Sequence, residues 1–82
     1  MELVFTDEAL KNLKRIGKNE LKKAKKKFDL LKSDPQSGKP LHGKFEGQRS
    51  LRAWPLRIIY VFDSKKQIIE ITTVDYRGSV YA

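Results

Sequence analysis

The stretch Leu51-Arg52-Ala53-Trp54-Pro55-Leu56-Arg57-Ile58-Ile59-Tyr60-Val61-Phe62 constrains the fold of this chain more than any other. From Leu56 to Phe62 it is rich in β-branched and aromatic side chains, the composition of a buried central strand. Arg57 interrupts that apolar run, and Arg52 lies five positions earlier, across a turn marked by Trp54-Pro55. A turn centred on those two residues sets Arg52 and Arg57 directly opposite each other on one face of a hairpin. Like charges so placed repel. A chain keeps such a pair where an anion sits between them, so the hairpin points to an anionic ligand.

The rest of the chain supplies the layers around that hairpin. Glu2 to Phe5 reads as a short strand. Thr6-Asp7-Glu8 has a capping hydroxyl followed by acids that suit a helix N-terminus, and Ala9, Leu10, Leu13 and Ile16 recur at helical spacing. A first helix is predicted over 7–16, with Gly17 as its C-cap. Asn19 is placed to cap a second helix running to Leu31 or Lys32. Its buried stripe is Leu21, Ala24, Phe28 and Leu31, and Lys22, Lys23, Lys25, Lys26 and Lys27 cover the rest of its circumference. The short Gly17-Lys18 connection makes the two helices antiparallel neighbours. The turn-rich run from Ser33 to Pro40 ends the second helix, and Leu41 to Gly47 reads as loop with two glycines at tight turns. Strands follow from Gln48 to Arg52, from Leu56 to Phe62 and, after an Asp63–Lys66 turn, from Gln67 to Val74. This order predicts a small single-domain α+β fold over residues 1–82. Two N-terminal helices pack on one face of an antiparallel meander, and the other face, carrying a concavity lined by Arg52 and Arg57, is exposed.

Charge narrows the partners. The formal net charge is +8, from 18 Lys and Arg against 10 Asp and Glu. It suggests a nucleic acid, an acidic protein or an anionic surface as partner; a solvated basic surface with no dedicated ligand is the bland alternative. Of 13 Lys, 11 lie in residues 1–44, whereas four of the five Arg lie in residues 49–77. Lysines act as diffuse point charges, while arginine grips phosphate or carboxylate in a defined geometry. The lysines of the second helix form either a solvated face or an electrostatic funnel for a phosphate backbone. Lys22, Lys23 and Lys26, with Lys44 and Arg49, are the candidate nucleic-acid contacts. Trp54 reads as a hairpin-tip or rim residue, with stacking on RNA as the alternative. Tyr60 and Tyr76 read as core or rim aromatics.

Other chemistries find little support. With no cysteine and one histidine, a disulfide framework, a zinc-thiolate site or another transition-metal site is not expected. No Ser/His/Asp arrangement, Walker loop or dinucleotide fingerprint appears, and no cofactor is expected. No apolar run approaches the roughly 20 residues of a membrane span. The opening Met1-Glu2-Leu3-Val4-Phe5 runs into acids and a helical pattern, unlike a secretory leader, so a cytoplasmic location is the expectation.

The frame Leu41-x-Gly43, then Arg52, then Leu56-Arg57-Ile58-Ile59-Tyr60, then Val74-x-x-Arg77-x-x-Val80-Tyr81 resembles the RelE/ParE toxin superfamily across nearly the whole chain. The resemblance implies a toxin of a toxin–antitoxin pair. In its RelE branch such a toxin cleaves mRNA in the ribosomal A site without a metal and is silenced by a cognate antitoxin. It implies, position by position, that Arg57 contacts the scissile phosphate, that Arg77 stabilises charge there, and that Tyr81 stacks on or acts at the cleaved nucleotide. Arg52 falls on the hairpin strand where relatives carry catalytic or phosphate-binding Lys and Arg. The chain departs from the pattern in carrying Tyr76 where many relatives have His, and Ser50 where RelE proper has Lys, and its general base is not evident. His42, in a Gly-rich loop at a position the family varies, reads as a bystander. Three functions follow: a RelE-like mRNA interferase, a ParE-like protein that poisons DNA gyrase by binding, or a catalytically degenerate toxin that only binds RNA or its antitoxin.

Overall fold

The computed structural model describes residues 1–76. Strand β1 (Glu2–Phe5) leads into helices α1 (Asp7–Lys14) and α2 (Lys18–Ser33). Strand β2 (Lys39–Pro40) and a single 3-10 turn at Gly43–Phe45 precede the hairpin β3 (Arg49–Ala53) and β4 (Leu56–Asp63), and β5 (Ile68–Tyr76) follows. The strands form one sheet in the order β1-β5-β4-β3-β2. The α+β architecture, with two helices on a largely antiparallel sheet, is the one the sequence implies. Two strand positions extend the expected meander. The helical pair carries the chain across the sheet, so β1 docks at the far edge, parallel to β5, with Glu2 beside Ile68 and Phe5 beside Ile71. At the other edge Lys39 and Pro40, expected as loop, pair with Ser50 and Arg49. Proline offers no N–H to a ladder, which confines β2 to an edge.

The helix boundaries follow local chemistry. Thr6 caps α1 as expected, its Oγ1 accepting from the Ala9 N–H at 3.1 Å while donating to the Thr72 carbonyl at 3.2 Å. Helix α1 ends at Lys14 and is closed by Arg15, not by Gly17. Gly17 has φ −66° and ψ 160°, an extended conformation, and is the N-cap of α2, which leaves Asn19 inside the first turn and not at the cap.

The core lies between the helices and one face of the sheet. Ala24, Phe28 and Leu31 of α2 are buried against Leu51, Ala53, Leu56, Ile58, Tyr60, Ile69, Ile71 and Val74. The Phe5 and Phe28 rings meet edge to face at 5.3 Å. Alternation along β4 turns Leu56, Ile58 and Tyr60 inward and Arg57 and Ile59 to the other face. A bulge at Ile59/Tyr60 leaves Thr72 as the extra residue on β5, because Ile59 pairs with Thr73 and Tyr60 with Ile71. The sequence predicts that second face to be exposed, but its centre is buried: Ser50 and Ile59 are 5% and 1% exposed. Among the described residues no helix is long and apolar enough to cross a membrane.

Candidate nucleic-acid interface

The β3–β4 hairpin has the register that the Trp54-Pro55 spacing implies, with Arg52 paired to Arg57 and Ala53 to Leu56. Arg52 is exposed. Arg57 is half-buried, and its Nη1 donates to Ser50 Oγ at 3.3 Å. On its other side the strand neighbour of Arg57 is Asp75, whose Oδ1 accepts from the Tyr76 N–H at 2.8 Å.

Strand β2 stops after pairing with Arg49 and Ser50, so it leaves Leu51 to Ala53 without a β2 neighbour. Helix α2 packs over β3 and faces this gap with lysines. The result is a cavity of about 380 Å³ lined by Lys27, Ser37, Lys39, Ser50, Leu51, Arg52 and Arg57. Among the described residues its lining holds four cations and no carboxylate, with Asp75 beside Arg57 on the neighbouring strand. A second, open groove of about 550 Å³ adjoins it, lined by Lys23, Lys26, Lys27, Leu30, Arg52, Ala53 and Trp54. Lys27 and Arg52 belong to both.

The loop that carries Ser37 and Lys39 into the cavity is pinned from behind. Tyr60 Oη donates to the Pro35 carbonyl at 2.8 Å and accepts from the Gly38 N–H at 3.0 Å. Arg49 Nη1 donates to the carbonyls of Gly38 at 2.8 Å and Gln36 at 3.4 Å. A Cβ at Gly38 would lie 2.7 Å from Tyr60 Oη, so only glycine lets the loop come this close. Burial raises the Tyr60 phenol above its ordinary value of 10.0, against the opposing pull of the Gly38 N–H and the Arg49 charge. The phenol therefore remains a hydrogen-bond donor to Pro35.

Of the residues singled out in the sequence, the structure brings Arg52 and Arg57 together, and it brings Lys23 and Lys26 to the adjoining groove. Lys22 is exposed on α2 and lines neither. Lys44 lies in the 3-10 turn, its Nζ 5.4 Å from the Phe45 ring centroid. Arg49 is turned to the helix side, holding the loop. Arg77 and Tyr81 lie outside the described residues. Tyr60 is core, and Tyr76, 39% exposed, is rim. Of the other lining residues, the sequence marks Lys27 only as one of the helix lysines, Ser50 only as a departure from the RelE pattern, and Ser37 and Lys39 only as loop. Lys23, Lys26, Lys27 and Leu30 stand at helical i, i+3, i+4, i+7 spacing, a second stripe beside the buried one, and that pattern could have found Lys27. Lys39 carried no such signal, since its place depends on β2 pairing with β3.

Residues 3–81 match the family described as the ParE toxin of type II toxin-antitoxin system, parDE. The chain belongs to the ParE toxin family. Among solved structures, this toxin is similar to a chain of the RelBE2 toxin-antitoxin complex from Mycobacterium tuberculosis, with 28% identity, a TM-score of 0.86, and coverage of 93% of this chain and 96% of that one. It is also similar to the YoeB/ParE toxin from Agrobacterium tumefaciens, with 22% identity, a TM-score of 0.82, and coverage of 94% and 99%. For a chain of the intact E. coli RelBE toxin-antitoxin complex the values are 24% identity, a TM-score of 0.78, and coverage of 92% and 94%. No curated protein sequence matches. The two-helix, five-stranded architecture is thus that of RelE-like toxins.

Proposed function

We propose that this toxin is a metal-independent endoribonuclease that cleaves mRNA on the ribosome in the cytoplasm and is silenced by a cognate antitoxin. The observation that carries this reading is the cross-strand pair Arg52 and Arg57 converging with Lys27 and Lys39 on one cavity of about 380 Å³. Cations gathered so closely repel one another, and a phosphodiester bound among them relieves that repulsion.

Cleavage begins when the ribose 2′-oxygen attacks the adjacent phosphorus. A P–O2′ bond forms and the P–O5′ bond breaks, leaving a 2′,3′-cyclic phosphate and a 5′-hydroxyl. One proton leaves the 2′-oxygen and one reaches the 5′-oxygen, so the reaction is neutral in protons. The crowded dianionic phosphorane needs forked donors that stay charged, which guanidinium groups supply. Arg57, oriented by Ser50, donates to the non-bridging oxygens as they gain charge, and exposed Arg52 closes on the same phosphate. The resemblance adds Arg77 as a further charge stabiliser and Tyr81 as a residue at the cleaved nucleotide. Lys23 and Lys26 hold the flanking backbone, with Lys22, Lys44 and Arg49 as more distant contributors to the field. Among the described residues the cavity lining includes no imidazole or carboxylate, and removal of the 2′-proton is left unassigned.

The family match to ParE toxins favours a second reading, a protein that poisons DNA gyrase by binding and leaves RNA intact. Primer extension on a reporter mRNA, with and without programmed ribosomes, separates the two. Cuts at A-site codons that appear only with ribosomes, and that fall about 100-fold or more in Arg57→Ala, support the ribonuclease. No cuts with active ribosomes, together with gyrase that co-purifies with the toxin, would move the function to the second reading. An RNA- or antitoxin-bound protein with neither property would be a degenerate toxin.

A further inference from the structure

We propose that the groove beside the arginine cavity is a nucleobase platform, on which the Trp54 indole stacks a base of single-stranded RNA while Lys23 and Lys26 hold its backbone. The inference rests on the ribonuclease reading and deepens it by naming a binding subsite next to the phosphate held by Arg52 and Arg57.

Trp54 is 60% exposed at the tip of the hairpin, so its ring is not needed to fill the core. It faces a groove that α2 lines with Lys23, Lys26 and Lys27 at one-face spacing. Along the chain it is two residues beyond Arg52, roughly 7 Å for extended backbone. An extended nucleotide step is of that order. A strand of RNA with one phosphate among Arg52, Arg57 and Lys27 therefore reaches Trp54 with its next base. Because Lys27 and Arg52 line both the groove and the cavity, the path between them is continuous. Aromatic faces flanked by cations are the usual means of holding single strands without reading their sequence.

An amphipathic peptide helix fits this surface less well. It needs an apolar strip several turns long, whereas the apolar lining is Leu30, Ala53 and Trp54, and Ala53 is only 3% exposed. The three lysines and Arg52 dominate the rim.

Trp54 is the chain's one tryptophan, so its fluorescence reports on this groove directly. The experiment titrates the toxin against a dye-labelled 2′-O-methyl hexanucleotide, which cannot be cleaved, against the same hexanucleotide made abasic, and against a labelled acidic helical peptide. Anisotropy of the label gives the affinity of every variant, and Trp54 quenching is read in the unaltered toxin. Stacking predicts quenching by the hexanucleotide. It also predicts at least about tenfold weaker binding for Trp54→Ala, and most of the affinity retained in Trp54→Phe. The dependence on salt should not change in Trp54→Ala, since no charge is lost, while Arg52→Ala should lower its slope. Equal affinity for abasic and intact strands would overturn the proposal, as would tighter binding of the acidic peptide than of RNA. Thermal melts of both variants guard against a folding defect, and Trp54→Phe keeps the test valid if the alanine variant does not fold. Cleavage plays no part in this readout. Quenching without ribosomal cuts would leave the platform and remove the nuclease; ribosomal cuts with unchanged binding in Trp54→Ala would do the reverse.

Discussion

Tyr60 and Arg49 are paired across β3 and β4 and together hold the loop at Pro35 to Gly38. Removing the Tyr60 hydroxyl takes an acceptor from the buried Gly38 N–H and a donor from the Pro35 carbonyl. Tyr60→Phe should therefore cost about 1–3 kcal/mol, several degrees in Tm. The effect depends on pH in a defined direction. Burial raises the folded phenol above 10.0. Between that value and the folded pKa the native state keeps a proton that the unfolded state loses, so the contribution is complete below about pH 10 and declines above it. Denaturant midpoints of wild type and Tyr60→Phe should thus converge as pH rises past about 10; a gap that widens would reverse the assignment. The residue scale also shows what the sequence made readable. The opposition of Arg52 and Arg57 follows from a two-residue turn. The same alternation puts Arg49 on the face of Leu51 and Ala53, the helix side, so its distance from the site was readable too.

At the scale of elements, α1 is only two turns long, too short to hold itself together, and depends on what ties it to the sheet. Two side chains do so. Thr6 bonds both the first turn and the Thr72 carbonyl, and Asn12, 2% exposed, accepts the Val74 N–H through its Oδ1 at 3.1 Å. Asn12→Ala leaves that buried β5 donor without an acceptor and should cost about 1–3 kcal/mol. Asn19→Ala should change stability by no more than about 0.5 kcal/mol, because Asn19 is exposed and does not cap α2. Sequence spacing ranks these two residues in the opposite order, since an N-cap typically contributes about 1 kcal/mol. Chemical denaturation of the pair measures the difference, and equal effects would refute the structural ranking. Apart from β2 and the 3-10 turn, both read as loop, the elements were legible from periodicity and turn residues. The partner of Asn12, 62 positions away, was not, and neither was the parallel docking of β1, because such contacts depend on the assembled sheet.

At the scale of the molecule, the net charge of +8 is read correctly from composition, but composition does not say where the charge acts. The structure concentrates six cations around two joined hollows: Lys23, Lys26, Lys27, Lys39, Arg52 and Arg57. Lys65 and Lys66 sit instead in the β4–β5 turn. That turn lies at the other end of the eight-residue β4 from the hairpin, roughly 23 Å away at about 3.3 Å for each step along the strand. Two double variants of equal net charge can therefore be compared, Lys23→Glu with Lys26→Glu and Lys65→Glu with Lys66→Glu. If binding of single-stranded RNA depends on the hollows, the first variant loses two phosphate contacts. The slope of log K against log salt should then become shallower by about 1.4, at roughly 0.7 per contact on a single strand. The second variant keeps every contact and should preserve the slope, with only a small, uniform loss of affinity from the weaker long-range field. Equal changes in both would mean that RNA responds to total charge alone. A slope that shifts only in the first would locate the phosphate track along α2, where the hairpin arginines end it.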